Sequence, residues 1–139
     1  MDTKRFYEMV EADLACDRAR AEALTLAVFQ ELRERLTVEE SHDVAAQLPQ
    51  ELHRLWREGE TPEHPQRKVH AAEFIGRVRR RVVLPDDAEA ERAVRAVFRA
   101  LRTLLGSPSG LTGEAWDVFS VLPKELKKLW LSAHEAVAE

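Results

Sequence analysis

Apolar residues recur along this chain at the spacing that places them on one side of a helix. Phe6, Val10 and Leu14 lie four residues apart in the first segment. This recurrence predicts an amphipathic α-helix, because residues four positions apart lie on the same helical face. The next segment carries a similar apolar pattern at Val28, Phe29, Leu32 and Leu36.

The apolar pattern then occurs a second time. Residues 43–56 and 117–130 share 8 of 14 positions at an offset of 74, and residues 27–29 match 96–98 at an offset of 69. The change in offset predicts a loop insertion, which the glycine- and serine-rich stretch 106–110 supplies. Self-similarity of this kind is typical of a protein built from repeated units.

We therefore predict an all-α fold, a tandem repeat of two four-helix units packed as one compact helical domain. The repeats cover residues 4–58 and 70–138, the linker covers 59–69, and the single domain covers 1–139. Units of this size bury too little surface to be stable alone, so one shared core is expected. Trp116 is expected to be structural, and six further aromatic residues are predicted for the core: Phe6, Phe29, Trp56, Phe74, Phe98 and Trp130.

Local signals mark where the second and third helices begin. Asp17 and Asp86 occupy the position from which a side chain would cap the second helix of each unit. Thr37, followed three residues later by Glu40, predicts a capping box at the third helix.

The fourth helix of each unit is introduced by a proline. Pro49 and Pro123 fall at the first turn, where the missing N–H costs nothing. Ion pairs three residues apart are expected on these helices, between Glu51 and Arg54 and between Glu125 and Lys128.

Composition indicates a soluble protein of a reducing compartment. Hydrophobic residues make up 45% of the chain, yet no apolar run approaches the roughly 18 residues that span a bilayer. The N-terminus lacks the apolar stretch of a signal peptide. Cys16 is the single cysteine and cannot form an internal disulfide. We expect a cytoplasmic protein with no membrane partner.

The charge is unevenly distributed. Residues 1–61 hold 8 Lys/Arg against 14 Asp/Glu, whereas residues 62–139 hold 13 against 11. This balance does not indicate a general nucleic-acid binder, but it favours a local basic face in the second half.

The stretch Asp43-Val-Ala-Ala-Gln-Leu-Pro-Gln-Glu-Leu52 resembles the bacterial family called domain of unknown function 2267. The resemblance covers nearly the whole chain as two tandem copies. It implies a helical bacterial cytosolic protein, and it brings no catalytic residues with it. The second copy differs, since Phe119-Ser-Val121 replaces Ala45-Ala-Gln47.

An arginine stripe on the second helix of the second unit is the main candidate binding surface. Arg92, Arg95, Arg99 and Arg102 recur at spacings of 3, 4 and 3. At about 100° per residue the stripe is predicted to lie opposite the core face, in solvent. It is either a charged outer surface or a site for nucleic acid or an acidic partner.

Leu26 is a candidate interface residue. Its counterpart at an offset of 69 is Arg95, so Leu26 is predicted to point away from the core of its own unit. It is either a single exposed leucine or part of an interface with the other copy, another subunit or a partner.

Other polar residues do not form a recognisable site. Glu39 and His42 have E-x-x-H spacing, but Gly113 and Trp116 stand at the matching positions of the second copy, which excludes a symmetric di-metal site. Cys16 has Arg18 and Arg20 as its nearby basic residues and is expected to be a small structural residue. We predict no catalytic, metal-binding or cofactor-binding residues.

The sequence favours a non-enzymatic interaction or adaptor protein whose protein partner it does not specify. The alternative is weak, salt-dependent binding of nucleic acid or another polyanion through the arginine stripe. Self-association into a homo-oligomer is a further option.

Overall fold

The computed structural model describes residues 2–60, 69–106, 117–118 and 120–133. These residues fold into a compact all-helical structure, and no strand occurs among them. Residues 117–118 and 120–121 are also helical, ahead of the last helix. The helices of the described residues are α1 (Thr3–Leu14), α2 (Arg18–Arg33), α3 (Val38–Ala46), α4 (Gln50–Arg57), α5 (Ala71–Val82), α6 (Asp87–Leu104) and α7 (Lys124–Ser132).

The predicted capping residues begin α2, α3 and α6. The Asp17 carboxylate accepts a hydrogen bond from the backbone N–H of Arg20 at 2.8 Å, and Asp86 accepts one from Glu89 at 2.9 Å. Thr37 and Glu40 form both hydrogen bonds of the capping box, at 3.0 and 2.9 Å. These three predictions are confirmed, because a cap satisfies backbone N–H groups that have no partner within the helix.

Two helices end at residues with left-handed backbone conformation. Ala15 follows α1 and Val83 follows α5, each with φ of 50°. Their backbone N–H groups donate to Glu11 and Arg79, which closes the last turn of each helix. Glycine is the usual residue at such a position, since a Cβ atom makes it costly.

One hydrophobic cluster runs through the described helices. α1 packs mainly against α6, and α5 packs against both α2 and α6, so helices far apart in the sequence share the core. The six predicted aromatic residues are all fully buried, which confirms their assignment to the core. Tyr7, Val69 and Ile75 are buried with them.

Several predicted features lie outside the described residues. They are most of the linker 59–69, residues 107–110 of the predicted loop insertion, Gly113, Trp116, Phe119 and residues 134–138 of the second repeat.

Candidate functional site

The arginine stripe lies on α6, but its last member is inside the protein. Arg102 is 1% exposed and donates from Nη1 to the backbone oxygen of Trp130 at 3.0 Å. Burial, together with the nearby positive charge of Arg99, lowers the pKa of the Arg102 guanidinium. The prediction that the whole stripe faces solvent is therefore wrong.

The other three arginines are half-buried and bound to other parts of the chain. Arg99 donates to both carboxylate oxygens of Asp13 on α1, at 3.0 and 2.9 Å. Arg95 pairs with Glu91 and also donates to the backbone oxygen of Ser132 at 3.0 Å. Arg92 pairs with Glu89 and reaches the backbone oxygen of Asp13. Anion binding by the stripe stays a prediction, and it would have to compete with these contacts.

The position of α6 explains the error. Helical periodicity distinguishes the face toward the helix's own unit from the opposite face, and it assumes that the opposite face meets water. In the folded chain α6 contacts α1, α2, α5 and α7, so a second side is also covered. Long arginine side chains fit such a boundary, because their stems pack while their guanidinium groups reach backbone oxygens.

Arg33 on α2 makes contacts similar to those of Arg102, and sequence inspection did not identify it. Arg33 Nη1 donates to the backbone oxygens of Trp56 and Glu58 at 2.6 and 3.1 Å, and Nη2 donates to Gly59 at 3.1 Å. These carbonyl groups lie at the C-terminal end of α4, where backbone oxygens have no N–H partner within the helix. Arg33 and Arg102 are 69 residues apart, which is the offset of the repeat. This spacing was the sequence signal that the two arginines occupy matching positions.

A charged cluster also joins α2 to α5. Glu31 is 1% exposed and accepts from Arg81 at 2.6 Å, and Glu34 accepts from the same guanidinium group. Arg35 lies beside them with a buried side chain, and its pKa is lowered by burial against the opposing effects of both carboxylates. The cluster lies where α2 packs against α5, and this packing buries Glu31 and Arg35.

Leu26 is half-buried on α2. It lies one helical turn after Glu22 and one turn before Gln30, and Gln30 reaches the backbone oxygen of Glu58 at 3.4 Å. Its interface role stays a prediction.

The remaining candidates stay apart or are chemically quiet. Glu39 and His42 are exposed, and no three His, Cys, Asp or Glu side chains within the described ranges are placed to hold a metal ion. Burial, reinforced by Asp17 and Glu11, raises the pKa of the half-buried Cys16 thiol. A raised pKa keeps the thiol protonated and a poor nucleophile.

An open cleft of about 720 Å³ lies between α4 and the region where α1 meets α2. Tyr7 and the ion pair between Arg18 and Glu22 form one side, and the Arg18 guanidinium carbon lies 4.2 Å from the centre of the Tyr7 ring. The other side carries most of the polar residues of α4 and its end: Glu51, His53, Arg54, Arg57 and Glu58. Three guanidinium groups and three carboxylates line this cleft, which we call the α1–α4 cleft.

Glu51 and Arg54 do not form the predicted ion pair. Neither side chain has a hydrogen bond or ion pair within the part of the chain that the structure describes. Lys128 likewise forms no ion pair with Glu125. The Glu125 Oε1 atom lies 3.6 Å from His70 Nδ1 instead. Both pairing predictions are wrong. On α4, the Glu51 carboxylate and the Arg54 guanidinium group line the cleft separately.

Tyr7 and His53 are the partly hidden polar groups of the cleft. Tyr7 is 4% exposed, and its hydroxyl makes no hydrogen bond to any described residue. Burial, then the negative charge of Glu22, raises the pKa of Tyr7 to about 12, so the phenol stays protonated. His53 Nδ1 lies 2.8 Å from the backbone oxygen of Ala45. A carbonyl only accepts, so Nδ1 carries the proton and Nε2 remains an acceptor in the neutral ring.

No local sequence signal identified this cleft. Tyr7 lies beside Phe6 in a helix that pattern analysis assigned to the core, and the α4 residues follow the ordinary polar face of a short helix. Only the packing of α2 against α4, with Tyr7 of α1 beside them, brings these residues to one place.

Together these features define a small helical protein with an open, charge-lined cleft. Among the described helices, none combines the length and apolar character needed to cross a bilayer. The chain belongs to the family described as "Uncharacterized conserved protein (DUF2267)", whose model matches residues 3–129, so the predicted family membership is confirmed. No curated protein shows a significant match to the chain.

Proposed function

We propose that this chain is a non-enzymatic interaction protein of the bacterial cytosol, and that the α1–α4 cleft is its contact surface. The observation that carries the proposal is an open cleft whose lining includes three polar side chains, Tyr7, Glu51 and Arg54, that have no partner among the described residues. Exposed polar groups that converge on a concave surface are typical of binding sites. The arginine stripe offers less, because its members already contact acceptors within the chain.

Leu26 extends the proposed surface. It lies on α2 one turn beyond Glu22, which lines the cleft, and it is half-buried. An apolar residue beside a charged cleft suits the composition of protein interfaces, where polar rims surround less polar contacts. A partner or a second copy of the chain would cover both features.

The chain is further proposed to consist of two copies of one four-helix unit, covering 4–58 and 70–138. Supporting this are the matched helix-capping contacts of Arg33 and Arg102 at the ends of α4 and α7. Further support comes from two similar ring contacts, in which Phe29 and Trp56 have centroids 5.2 Å apart and Phe98 and Trp130 have centroids 5.5 Å apart. The left-handed helix ends and the capping aspartates also recur at offsets of 68 and 69.

Site-specific photo-cross-linking in native cells tests the proposed function. A photoreactive amino acid replaces Arg54 in the cleft, and a matched variant carries it at the exposed Arg80 of α5. We expect a discrete protein adduct from position 54 that position 80 does not give. Absence of a protein adduct at position 54 would contradict the proposal, and an adduct with nucleic acid would favour the polyanion alternative.

A further inference from the structure

The α1–α4 cleft has a definite charge arrangement. Its lining residues contribute equal numbers of guanidinium groups and carboxylates, so no single sign of charge dominates. A polyanion or a polycation would meet as many repulsive as attractive groups there. An occupant that carries both signs would find a partner for each.

A smaller depression adjoins the cleft. This second depression, of about 350 Å³, lies beside the start of α4 and is bordered by Asp2, Lys4 and Gln50. Glu51 and Arg54 line both depressions. Glu51 and Arg54, which have no partner among the described residues, therefore lie between the two depressions, and a chain segment is long enough to contact both.

The surroundings of the Tyr7 hydroxyl favour a positively charged group. Glu22 and Glu51 raise the pKa of this phenol and Arg18 lowers it, but Arg18 and Glu22 are paired with each other at 2.8 Å. Glu51 is the carboxylate there that no described residue neutralises. The Tyr7 hydroxyl faces this open cleft and has no hydrogen bond to a described residue, so it is available to hydrogen-bond with a bound group.

We propose that the α1–α4 cleft binds a mixed-charge peptide segment of a protein partner, with a basic side chain placed between Glu51 and the Tyr7 hydroxyl and an acidic side chain at Arg54. The inference rests on the proposed function and specifies the chemistry of the partner. The phenol oxygen accepts a hydrogen bond from the basic group, and the phenol hydrogen is free to donate to a backbone oxygen of the segment. Glu51 and Arg54 are three residues apart on α4, so the complementary charges of the segment lie about 5–6 Å apart.

Three synthetic peptides of equal length provide the test, with charged positions carrying alternating lysine and glutamate, lysine only, or glutamate only. Binding to the intact protein is followed by NMR titration at low and moderate salt. We expect the mixed-charge peptide to bind several-fold more tightly than either uniform peptide and to perturb the Tyr7 ring and the start of α4. Its affinity should fall as salt rises, since exposed ion pairs are screened.

Variants separate the contributions of the three residues. Tyr7→Phe removes only the hydroxyl, and we expect it to weaken binding of the mixed-charge peptide several-fold while leaving the melting temperature nearly unchanged. Glu51→Arg should weaken that binding, and Arg54→Glu should do the same. Glu8→Arg on the exposed side of α1 and Arg80→Glu on α5 make the same charge changes elsewhere and should leave binding as in the parent.

Equal affinities for the three peptides would overturn the inference, as would a Tyr7→Phe variant that binds the mixed-charge peptide as the parent does. A different result would contradict the proposed function itself, namely the absence of a protein adduct when the photoreactive residue stands at position 54. A cleft that cross-links a protein but ignores peptide charge would therefore refute only the assigned chemistry.

Discussion

Arg99 places its guanidinium group against the carboxylate of Asp13, whose side chain is 9% exposed. One nitrogen donates to both oxygens, at 3.0 and 2.9 Å, and this contact joins α6 to α1. A charge-assisted hydrogen bond in a partly buried place is stronger than one on an open surface. Arg99 therefore contributes to stability, although the sequence suggested a solvent-exposed residue available for binding.

The variant Arg99→Glu tests this role. It would place a second carboxylate beside Asp13, and we expect the free energy of unfolding to fall by about 2 kcal/mol because a paired charge is replaced by repulsion. Urea denaturation followed by circular dichroism measures the change. Arg80→Glu, at an exposed arginine, should shift the value by less than about 0.5 kcal/mol. Equal effects of the two variants would show that the Asp13 contact adds nothing.

At the scale of the element, capping side chains begin α1, α2, α3 and α6, and left-handed residues end α1 and α5. The capping residues of α2, α3 and α6 follow the preferences of isolated helices. Val83 does not, since a β-branched residue there ends α5 with φ of 50°. It is also 85% exposed, so little packing compensates for the strained backbone.

Replacing Val83 with glycine should stabilise the protein. Glycine adopts the left-handed conformation without a Cβ clash, and we expect the free energy of unfolding to rise by about 1 kcal/mol. Thermal and urea unfolding both measure this change. Val82→Gly, at the last residue of α5, removes a side chain that packs against the core and should lower stability by about 1 kcal/mol or more. A loss of stability in Val83→Gly would mean that the valine side chain makes a contribution larger than its backbone cost.

At the scale of the whole molecule, extensive packing contacts, including those between α1 and α6, cross the middle of the chain. α1 packs on α6, and α5 packs on α2, where Arg81 bridges Glu31 and Glu34. Each half thus covers apolar and charged groups of the other half. A segment of about 60 residues buries only roughly 60% of its unfolded surface even when it packs well.

We therefore expect neither half to be a stable domain alone. Residues 1–61 and 62–139, expressed separately, should melt without a cooperative transition or well below the temperature of the intact chain. Circular dichroism of the halves, separately and mixed, measures this, and mixing is expected to restore part of the cooperative signal. Two halves that each unfold cooperatively near the melting temperature of the intact chain would identify two independent domains.

The sequence by itself determined the features that depend on near neighbours. Helical periodicity identified the all-α fold and the buried aromatic residues, since each helix must hide one apolar face. Capping at Asp17, Thr37 and Asp86 was predictable because the side chain and the N–H groups it satisfies lie within three residues. Family membership was also predictable from the sequence alone, because residues 43–52 carry the resemblance.

Only the tertiary structure decided which polar residues are free. Arg33 and Arg102 are buried, whereas Glu51 and Arg54 line the α1–α4 cleft and have no ion pair with a described residue. All four belong to the polar part of a helical pattern. A guanidinium group on a helix is exposed or buried according to which other helix packs beside it and whether that helix offers a carbonyl or carboxylate. These partners lie 23 to 86 residues away for Arg33, Arg102 and Arg99, beyond the range of any local pattern.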